Sequence, residues 1–445
     1  MAFGISPLKR GQVEIRSERI RRLSREGLWV ILGQIATVAG SLVGVRILTG
    51  LLDSVSYGQV ALGLTLVNLA NQTIVGPLGN GINRFYAPAL EGGDIAGYGK
   101  SVRRLIAQAT ALIIALMFAF DASLWVAHQS RWIAIATTSF LLAIASGYNS
   151  FLSGILNAAR LRLVASIHQG IEPFARFMGA SALILAFAPV SAVALAGYCI
   201  GVVAVLTSQY AFTSRFLAKQ LQSASPNEDW GQRILAFSAP FTTWGIFTWG
   251  QQASDRWALE FFTSTHEVGL YAIVFQLGYY PLSLVSGMAM QFFAPIFYQR
   301  AGAATDVNRT ADLTTLAVRL TGWTLLVTAL AFLATYFLHP VIFGIFVSAP
   351  YRHVSYLLPW VVLSGGLFAA GQTLALTLMS QMRPHAMIAA KIVTAVIGIG
   401  LNLLFAYRFG LPGVVAASVL FSGGYLLWLA LLVRQDLNAN VTKLR

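Results

Sequence analysis

The sequence predicts an all-α protein that crosses a membrane many times. Of its 445 residues, 57% are hydrophobic and only 10% are charged, whereas a typical soluble domain carries about 25% charged residues. The apolar residues occur in blocks of roughly 20, the length that a helix needs to cross ~30 Å of hydrocarbon. Because lipid offers the backbone no hydrogen-bond partner, spanning segments are helices or barrel strands, and these blocks lack the alternation of barrel strands.

Apolar blocks separated by polar loops predict twelve spans, and an even number places both termini on the same side. No loop exceeds about 20 residues, which leaves no room for a soluble catalytic or nucleotide-binding domain. The predicted spans are 27–49, 58–87, 104–127, 132–157, 168–188, 191–214, 234–261, 268–296, 315–338, 354–380, 385–407 and 411–433.

Basic residues predict which side of the membrane each loop occupies. The termini and the loops on their side carry 21 Lys and Arg residues, whereas the opposite loops carry only Arg131, Arg352 and Arg408. Both termini are therefore predicted to be cytoplasmic. The net charge of +14 then reflects membrane orientation, and no soluble basic face predicts a nucleic-acid partner.

The predicted domains are a cytoplasmic arm (1–26), a six-helix bundle (27–215), a cytoplasmic linker (216–233), a second six-helix bundle (234–433) and a cytoplasmic tail (434–445). The arm holds seven basic residues but no cleavable signal peptide, and we expect it to contact anionic lipid headgroups. Cys199 is the only cysteine, so an intramolecular disulfide is impossible and no thiolate metal site is predicted.

An internal repeat relates the two predicted bundles. Residues 46–58 read RILTGLLDSVSYG, and residues 256–269 read RWALEFFTSTHEVG, with one extra residue. Farther on, 84–86 (RFY) has its counterpart at 296–298 (IFY). Because each half contains six spans, both halves insert in the same orientation. The symmetry axis should follow the membrane normal, and a substrate should bind between the halves.

At these residues the sequence resembles the Wzx-type polysaccharide exporters, or oligosaccharide flippases, of the multidrug/oligosaccharidyl-lipid/polysaccharide (MOP) superfamily. The resemblance rests on 56–58 (SYG) after span one, 83–86 (NRFY) at the end of span two and 255–256 (DR) in span seven. It implies two pseudo-symmetric six-helix bundles in a MATE-like V, a central cationic cavity and alternating access. It also implies a non-enzymatic role in a bacterial cytoplasmic (inner) membrane, as a flippase in exopolysaccharide, capsule or O-antigen biosynthesis.

The substrate implied by the resemblance is a polyprenyl-pyrophosphate-linked oligosaccharide, with a polysaccharide polymerase and chain-length machinery as further partners. The planar guanidinium of arginine can donate two parallel hydrogen bonds to the oxygens of a phosphate group. Arg46 and Arg256 occupy near-equivalent repeat positions, so we expect them to face each other across the cavity. Snorkelling to headgroups, or pairing of Arg256 with Glu260, is the structural alternative for them.

Five further ionisable residues are candidates, because an unpaired charge inside a membrane is costly. Arg176, Lys391 and Arg84 are candidate substrate ligands, although Arg84 is also explained by positive-inside placement. Glu172 lies four residues before Arg176, so the two share a helix face and can pair. Asp255 either pairs with Arg256 or binds a proton or sodium ion whose gradient drives transport; no other cofactor and no metal are expected.

Two features without charge complete the candidates. The run 76–81 (GPLGNG) inside span two predicts a kink or an unwound turn facing the cavity. Trp244, Trp249 and Tyr279 lie inside spans, where stacking on sugars and simple packing are both open.

Two other classes of protein compete with a flippase. A multidrug-type exporter of the same fold would need uncompensated acids in its spans, but here the bases match or exceed them. A membrane-embedded polysaccharide polymerase or ligase would need a sizeable extracytoplasmic loop with clustered acids, histidines or arginines. His339, Arg352 and His353 come nearest, on a loop of about 15 residues.

The topology is testable with reporter fusions. Reporters placed after Arg215 and at Arg445 should be cytoplasmic, and a reporter inserted after Asp53 should be periplasmic. A periplasmic carboxyl terminus would contradict the twelve-span topology.

Overall fold

The computed structural model describes residues 7–218, 229–301, 307–380 and 384–444. Residues 219–228 of the predicted linker, and the extreme ends of the predicted arm and tail, lie outside these ranges. The helices are α1 (Pro7–Leu51), α2 (Ser54–Ala70), α3 (Gly76–Glu91), α4 (Ile95–Val126), α5 (Ile133–Ala158), α6 (Arg162–Ala186), α7 (Ser191–Ala218), α8 (Trp230–Phe262), α9 (Thr265–Ala301), α10 (Val307–Phe346), α11 (Leu358–Ser380) and α12 (Pro384–Leu444).

Two details relate these helices to the predicted spans. A π-helical turn at Asn71–Val75 joins α2 to α3, so the two form one continuous span. Within α12, Gly410 has φ +60°, a left-handed conformation that glycine adopts without a steric penalty. The break at Gly410 falls between the spans predicted at 385–407 and 411–433.

Nine segments of the described chain are long and apolar enough, by length and composition, to cross a membrane. The segment Lys391–Gln435 is one of them, although Gly410 divides it. Helices α6 and α8 are outside this set. Helix α6 carries Glu172 and Arg176, and α8 carries Asp255 and Arg256. Polarity inside these two helices is the first structural indication of an internal site.

Helix contacts follow the same scheme in both halves of the described chain. We call α1–α7 the N-terminal bundle and α8–α12 the C-terminal bundle. In the first, α1 packs on α6, α4 on α5 and α5 on α7; in the second, α8 packs on α12, α10 on α11 and α11 on α12. These pairs correspond if α8 matches α1, α10 matches α4, α11 matches α5, and the two parts of α12 match α6 and α7.

The bundles meet where the two repeat-equivalent glycines cross. A Cβ atom added to Gly58 would lie 2.9 Å from the amide nitrogen of Gly269, and one added to Gly269 would lie 3.0 Å from that of Gly58. The backbones of Ser54 and Thr265 approach still closer on either side. Only glycine therefore permits α2 and α9 to cross at this separation.

Hydrogen bonds surround this crossing, on what we call the joined face: the end of α1, the start of α2, the α8–α9 turn and the 3-10 helix Ala349–Leu357. Tyr351 donates its hydroxyl to the Leu52 carbonyl at 2.6 Å, and Ser54 contacts His266. Ser348 hydrogen-bonds the Thr49 carbonyl. The positive-inside pattern predicts that this face is periplasmic.

A second contact between the bundles involves the loop after α3. Asp94 is buried, caps α4 through the Gly97 amide at 3.0 Å and accepts the indole N–H of Trp230 at 2.8 Å. Phe85 lies 6.3 Å from the Trp230 ring. The NRFY segment thus joins the start of α8 to the N-terminal bundle.

The glycine crossing is testable by disulfide trapping in a Cys199→Ser background with Ser54→Cys and His266→Cys. Adding Gly58→Ala or Gly269→Ala should lower the cross-linking yield several-fold, because the added methyl group forces α2 and α9 apart. Gly50→Ala is the matched control, since a Cβ there meets no atom within 4 Å. An unchanged yield in both crossing variants would mean that close approach is not required to join this face.

Candidate functional site

A central cavity of about 650 Å³ lies between the bundles, with most of its wall in the N-terminal bundle. Side chains from α1, α2, the π turn, α3, α5, α6 and α7 line it, and α8 and α9 close it from the other bundle. Its volume is within the ~300–1,000 Å³ typical of small-molecule sites. The cavity thus lies between the halves, where the repeat predicts a substrate site.

Neutral amides dominate the polar wall of this cavity, and apart from Asn83 of the NRFY segment none of them is a candidate from the sequence. Each amide offers both hydrogen-bond donors and acceptors, so together they suit a ligand rich in hydroxyl groups. Their signal in the sequence is that they interrupt apolar spans. They are Asn68, Asn71, Asn83, Asn149, Asn157, Gln169 and Gln276.

Glu172 and Arg176 form an ion pair on α6, as their four-residue spacing predicts. Arg176 Nε lies 3.7 Å from Glu172 Oε1, and the two side chains are 27% and 22% exposed. Asn149 donates from Nδ2 to the other oxygen of Glu172 at 2.8 Å. The Arg176 guanidinium also lies 5.8 Å from the Tyr198 ring centroid. These contacts hold both charged groups against the cavity.

Arg256 reaches the cavity from α8 and is held by its neighbour. Its Nη1 donates to Asp255 Oδ1 at 3.2 Å and to the Gln252 carbonyl at 3.0 Å. The Tyr271 hydroxyl donates to Asp255 Oδ2 at 2.6 Å, so both carboxylate oxygens have partners. The guanidinium lies 4.6 Å from the Phe275 ring, a cation–π contact that fixes its position.

Several buried polar atoms in the wall have no hydrogen-bond partner among the described residues. They are Oδ1 of Asn71, Oδ1 of Asn149 and Nε of Arg176. Buried polar atoms in folded proteins are nearly always satisfied by protein, water or ligand. These atoms therefore indicate where water or a ligand binds.

The π turn explains the polar position at the middle of span two. A π-helical turn inserts one extra residue into a helix, and such turns are frequent at functional sites. Here it contains Asn71 and ends at Val75, directly before Gly76 and Pro77. Span two is therefore distorted, but at Asn71–Val75 and as a widened turn, whereas residues 76–81, where the sequence predicts the distortion, are α-helical.

Arg46 does not lie where the repeat predicts, and the expected facing pair of Arg46 and Arg256 is wrong for this structure. Its Nη1 donates to the Val347 carbonyl at 2.7 Å on the joined face. Ser41 is the residue of α1 that lines the cavity. An α-helix turns by 100° per residue, so Arg46, five residues after Ser41, lies about 140° around the helix from it. The Arg46 side chain therefore points out of the cavity.

The other predicted residues divide among several places. Arg84 is exposed, outside the cavity, with its guanidinium 5.9 Å from the Phe85 ring. Glu260 accepts a hydrogen bond from Thr265 Oγ1 at 3.0 Å and does not pair with Arg256. Lys391 lines a separate cavity in the C-terminal bundle. Among the predicted arginines, the structure brings only Arg176 and Arg256 to the central cavity.

No protein-family model matches the sequence, and no curated protein matches it. Solved structures do match over almost the whole chain. An inward-facing multidrug resistance MATE family transporter of the MOP superfamily has a TM-score of 0.69 at 13% identity, covering 94% of this chain and 99% of that chain. The lipid II flippase MurJ, in an inward closed conformation, has a TM-score of 0.65 at 15% identity, covering 92% and 90%.

An outward-facing multidrug resistance MATE family transporter of the MOP superfamily has a lower TM-score, 0.63, at 15% identity, and covers 94% of this chain and 96% of that chain. At such identities the likeness shows the fold. The predicted fold class is confirmed: the chain has the all-helical, polytopic membrane fold of MOP-superfamily proteins.

Proposed function

We propose that this protein is a flippase that moves a polyprenyl-pyrophosphate-linked oligosaccharide across the cytoplasmic membrane by alternating access, for biosynthesis of a surface polysaccharide. The observation that carries the proposal is the lining of the central cavity, which combines seven amide side chains with two arginines. In this proposal the amides bind the hydroxyl groups of the sugar, and the arginines bind the pyrophosphate. A polymerase and chain-length machinery belong to the same proposal as partners.

The amides supply the chemistry for sugar hydroxyl groups. A sugar donates and accepts hydrogen bonds around its whole ring, and an amide does both from one side chain. Serines on α5, at positions 146, 150 and 153, extend this polar surface. A hydroxyl-rich headgroup leaving water therefore exchanges hydrogen bonds with water for hydrogen bonds with the wall, which lowers the cost of its desolvation.

The described wall leaves no acid without a basic partner, which disfavours a cation as the substrate. Its charged residues in the described chain are Arg176, Arg256 and Glu172, which leaves one positive charge in excess. Asp255 neutralises part of Arg256 from outside the cavity lining. With Asp255 counted, two acids balance the two arginines, and a multidrug-type exporter of cations would need acids without such basic partners.

Alternating access requires that one face is closed while the cavity communicates with the other. Here the joined face closes one end, and wall residues Asn83, Asn157 and Gln169 extend the cavity toward the opposite ends of α3, α5 and α6. In this proposal Asp255 positions Arg256, and a proton or sodium gradient as driving force stays a prediction.

Deleting the gene from its native cell should stop export of one surface polysaccharide. The lipid-linked precursor should accumulate on the cytoplasmic leaflet, because its polar headgroup cannot cross hydrocarbon unaided. Extraction of lipid-linked sugars measures the precursor. Normal polysaccharide export, together with accumulation of a toxic cation, would instead favour the drug exporter.

Complementation of that deletion tests the two cavity arginines. Arg176→Ala and Arg256→Ala should lose export although the protein still inserts, and Lys should restore it only partly, because an ammonium is not a bidentate fork. The double variant should be little worse than either single one, since both groups hold one ligand.

Arg408→Ala is the matched control for these variants, because Arg408 is exposed and outside the cavity. It should export normally. Normal export per molecule in Arg176→Ala and Arg256→Ala, measured against membrane abundance, would contradict the assignment of the site.

A further inference from the structure

A second cavity lies inside the C-terminal bundle, between α8, α11 and both parts of α12. Its volume is about 240 Å³, and none of its lining residues lines the central cavity. The helices that form it match α1, α5, α6 and α7 in the repeated contact scheme. The cavity is thus lined by the C-terminal counterparts of four helices that also line the central cavity, but the side chains are different.

Aromatic rings form one wall of this C-terminal cavity. The rings of Phe368 and Tyr425 are stacked at 5.1 Å between centroids, and those of Phe421 and Tyr425 lie at 6.4 Å with only 10° between their planes. Two glycines make room for them. A Cβ at Gly371 would lie 2.7 Å from Tyr425, and one at Gly398 would lie 2.7 Å from Phe421, so the packing of these rings depends on both glycines.

A cation also lines this cavity. Lys391 Nζ is 4.6 Å from the centroid of the Trp244 ring. No acidic residue lines the cavity, and within the described residues Lys391 forms no ion pair. The Tyr425 hydroxyl is buried and has no hydrogen-bond partner among the described residues. Gln372 adds an amide to the lining. The cavity therefore holds a positive charge and polar groups that a ligand can satisfy.

We propose that the C-terminal cavity binds one acidic sugar unit, a pyranose ring that carries a carboxylate. The C–H face of the ring packs on the aromatic wall, the carboxylate binds Lys391, and ring hydroxyls meet Tyr425 and Gln372. The cavity is smaller than the ~300–1,000 Å³ of drug-sized sites, so it suits a single ring. A cation is repelled by Lys391, and a wholly apolar ligand leaves the lysine and the tyrosine hydroxyl unsatisfied.

A chain of shared residues connects this cavity to the central one. Gln251 and Gln252 also line a small pocket around Asp255, and Phe275 lines both that pocket and the central cavity. Gln252 also accepts a hydrogen bond from Gln72 of the π turn at 2.8 Å. The inference rests on the proposed function in one respect: the acidic unit is taken to be part of the oligosaccharide that is carried.

The test uses the purified full-length protein in detergent, titrated calorimetrically with methyl glucuronide and with the neutral methyl glucoside. The glucuronide should bind about tenfold more tightly, the size expected for one hydrogen-bonded charge. Lys391→Gln should abolish this preference but keep glucoside binding, whereas Trp244→Leu should weaken both sugars. Arg408→Ala should leave both affinities unchanged.

Equal affinities for the two sugars, no binding of either, or a preference that survives Lys391→Gln would overturn the inference. A preference lost in Arg176→Gln and kept in Lys391→Gln would place the acidic sugar in the central cavity and overturn it as well. The proposed function fails separately. If the protein binds the glucuronide but the deletion strain exports polysaccharide normally, only the proposed flippase function is contradicted. If export is lost but the protein does not bind the glucuronide, only the acidic-sugar site in the C-terminal cavity is contradicted.

Discussion

A charge inside a membrane protein needs a counter-charge, a hydrogen-bond network or water, and this requirement determines where the polar helices lie. Removing an ionised group from water costs several kcal/mol unless such partners compensate. Glu172 with Arg176 on α6, and Asp255 with Arg256 on α8, meet the requirement within their own helices. Both helices therefore face the interior, while α10, whose apolar side chains are mostly exposed, takes an outer position. The central cavity exists where two paired but polar helices come together.

The two bundles share a helix arrangement but differ in the chemistry of their cavities. Amides and arginines line the first, and stacked rings with a lysine line the second. Glycine is used differently in each place: Gly58 and Gly269 permit backbones to cross, whereas Gly371 and Gly398 make room for aromatic rings. A duplicated scaffold with divergent linings can hold two parts of one extended ligand. The polar contacts between Gln72 and Gln252 lie between these two parts.

The sequence predicts the helices well, because hydrophobic blocks and breaking residues act locally. The break at Gly410 is an example, whereas the distortion of span two lies before the glycine-rich run that predicts it. The direction of each side chain is less accessible, since one residue turns a helix by 100°. Arg46 matches Arg256 in sequence, yet it points to Val347 and not into the cavity. The asparagines carry no charge and follow no local motif, apart from Asn83, although an amide in an apolar span also needs a partner. The pairing of Asp255 with Tyr271 depends on how α8 packs on α9, which no local pattern encodes.

Reconstituted transport tests the central claim most directly. Vesicles that contain the purified protein and an extracted polyprenyl-pyrophosphate-linked oligosaccharide would be treated from outside with a glycosidase, and the protected fraction measured over time. The account predicts that protein exposes the inner half of the lipid-linked sugar to the enzyme, that Arg176→Ala and Arg256→Ala abolish this exposure, and that Arg408→Ala does not. Protection that stays at one half with the wild-type protein, or exposure that survives loss of both cavity arginines, would contradict it.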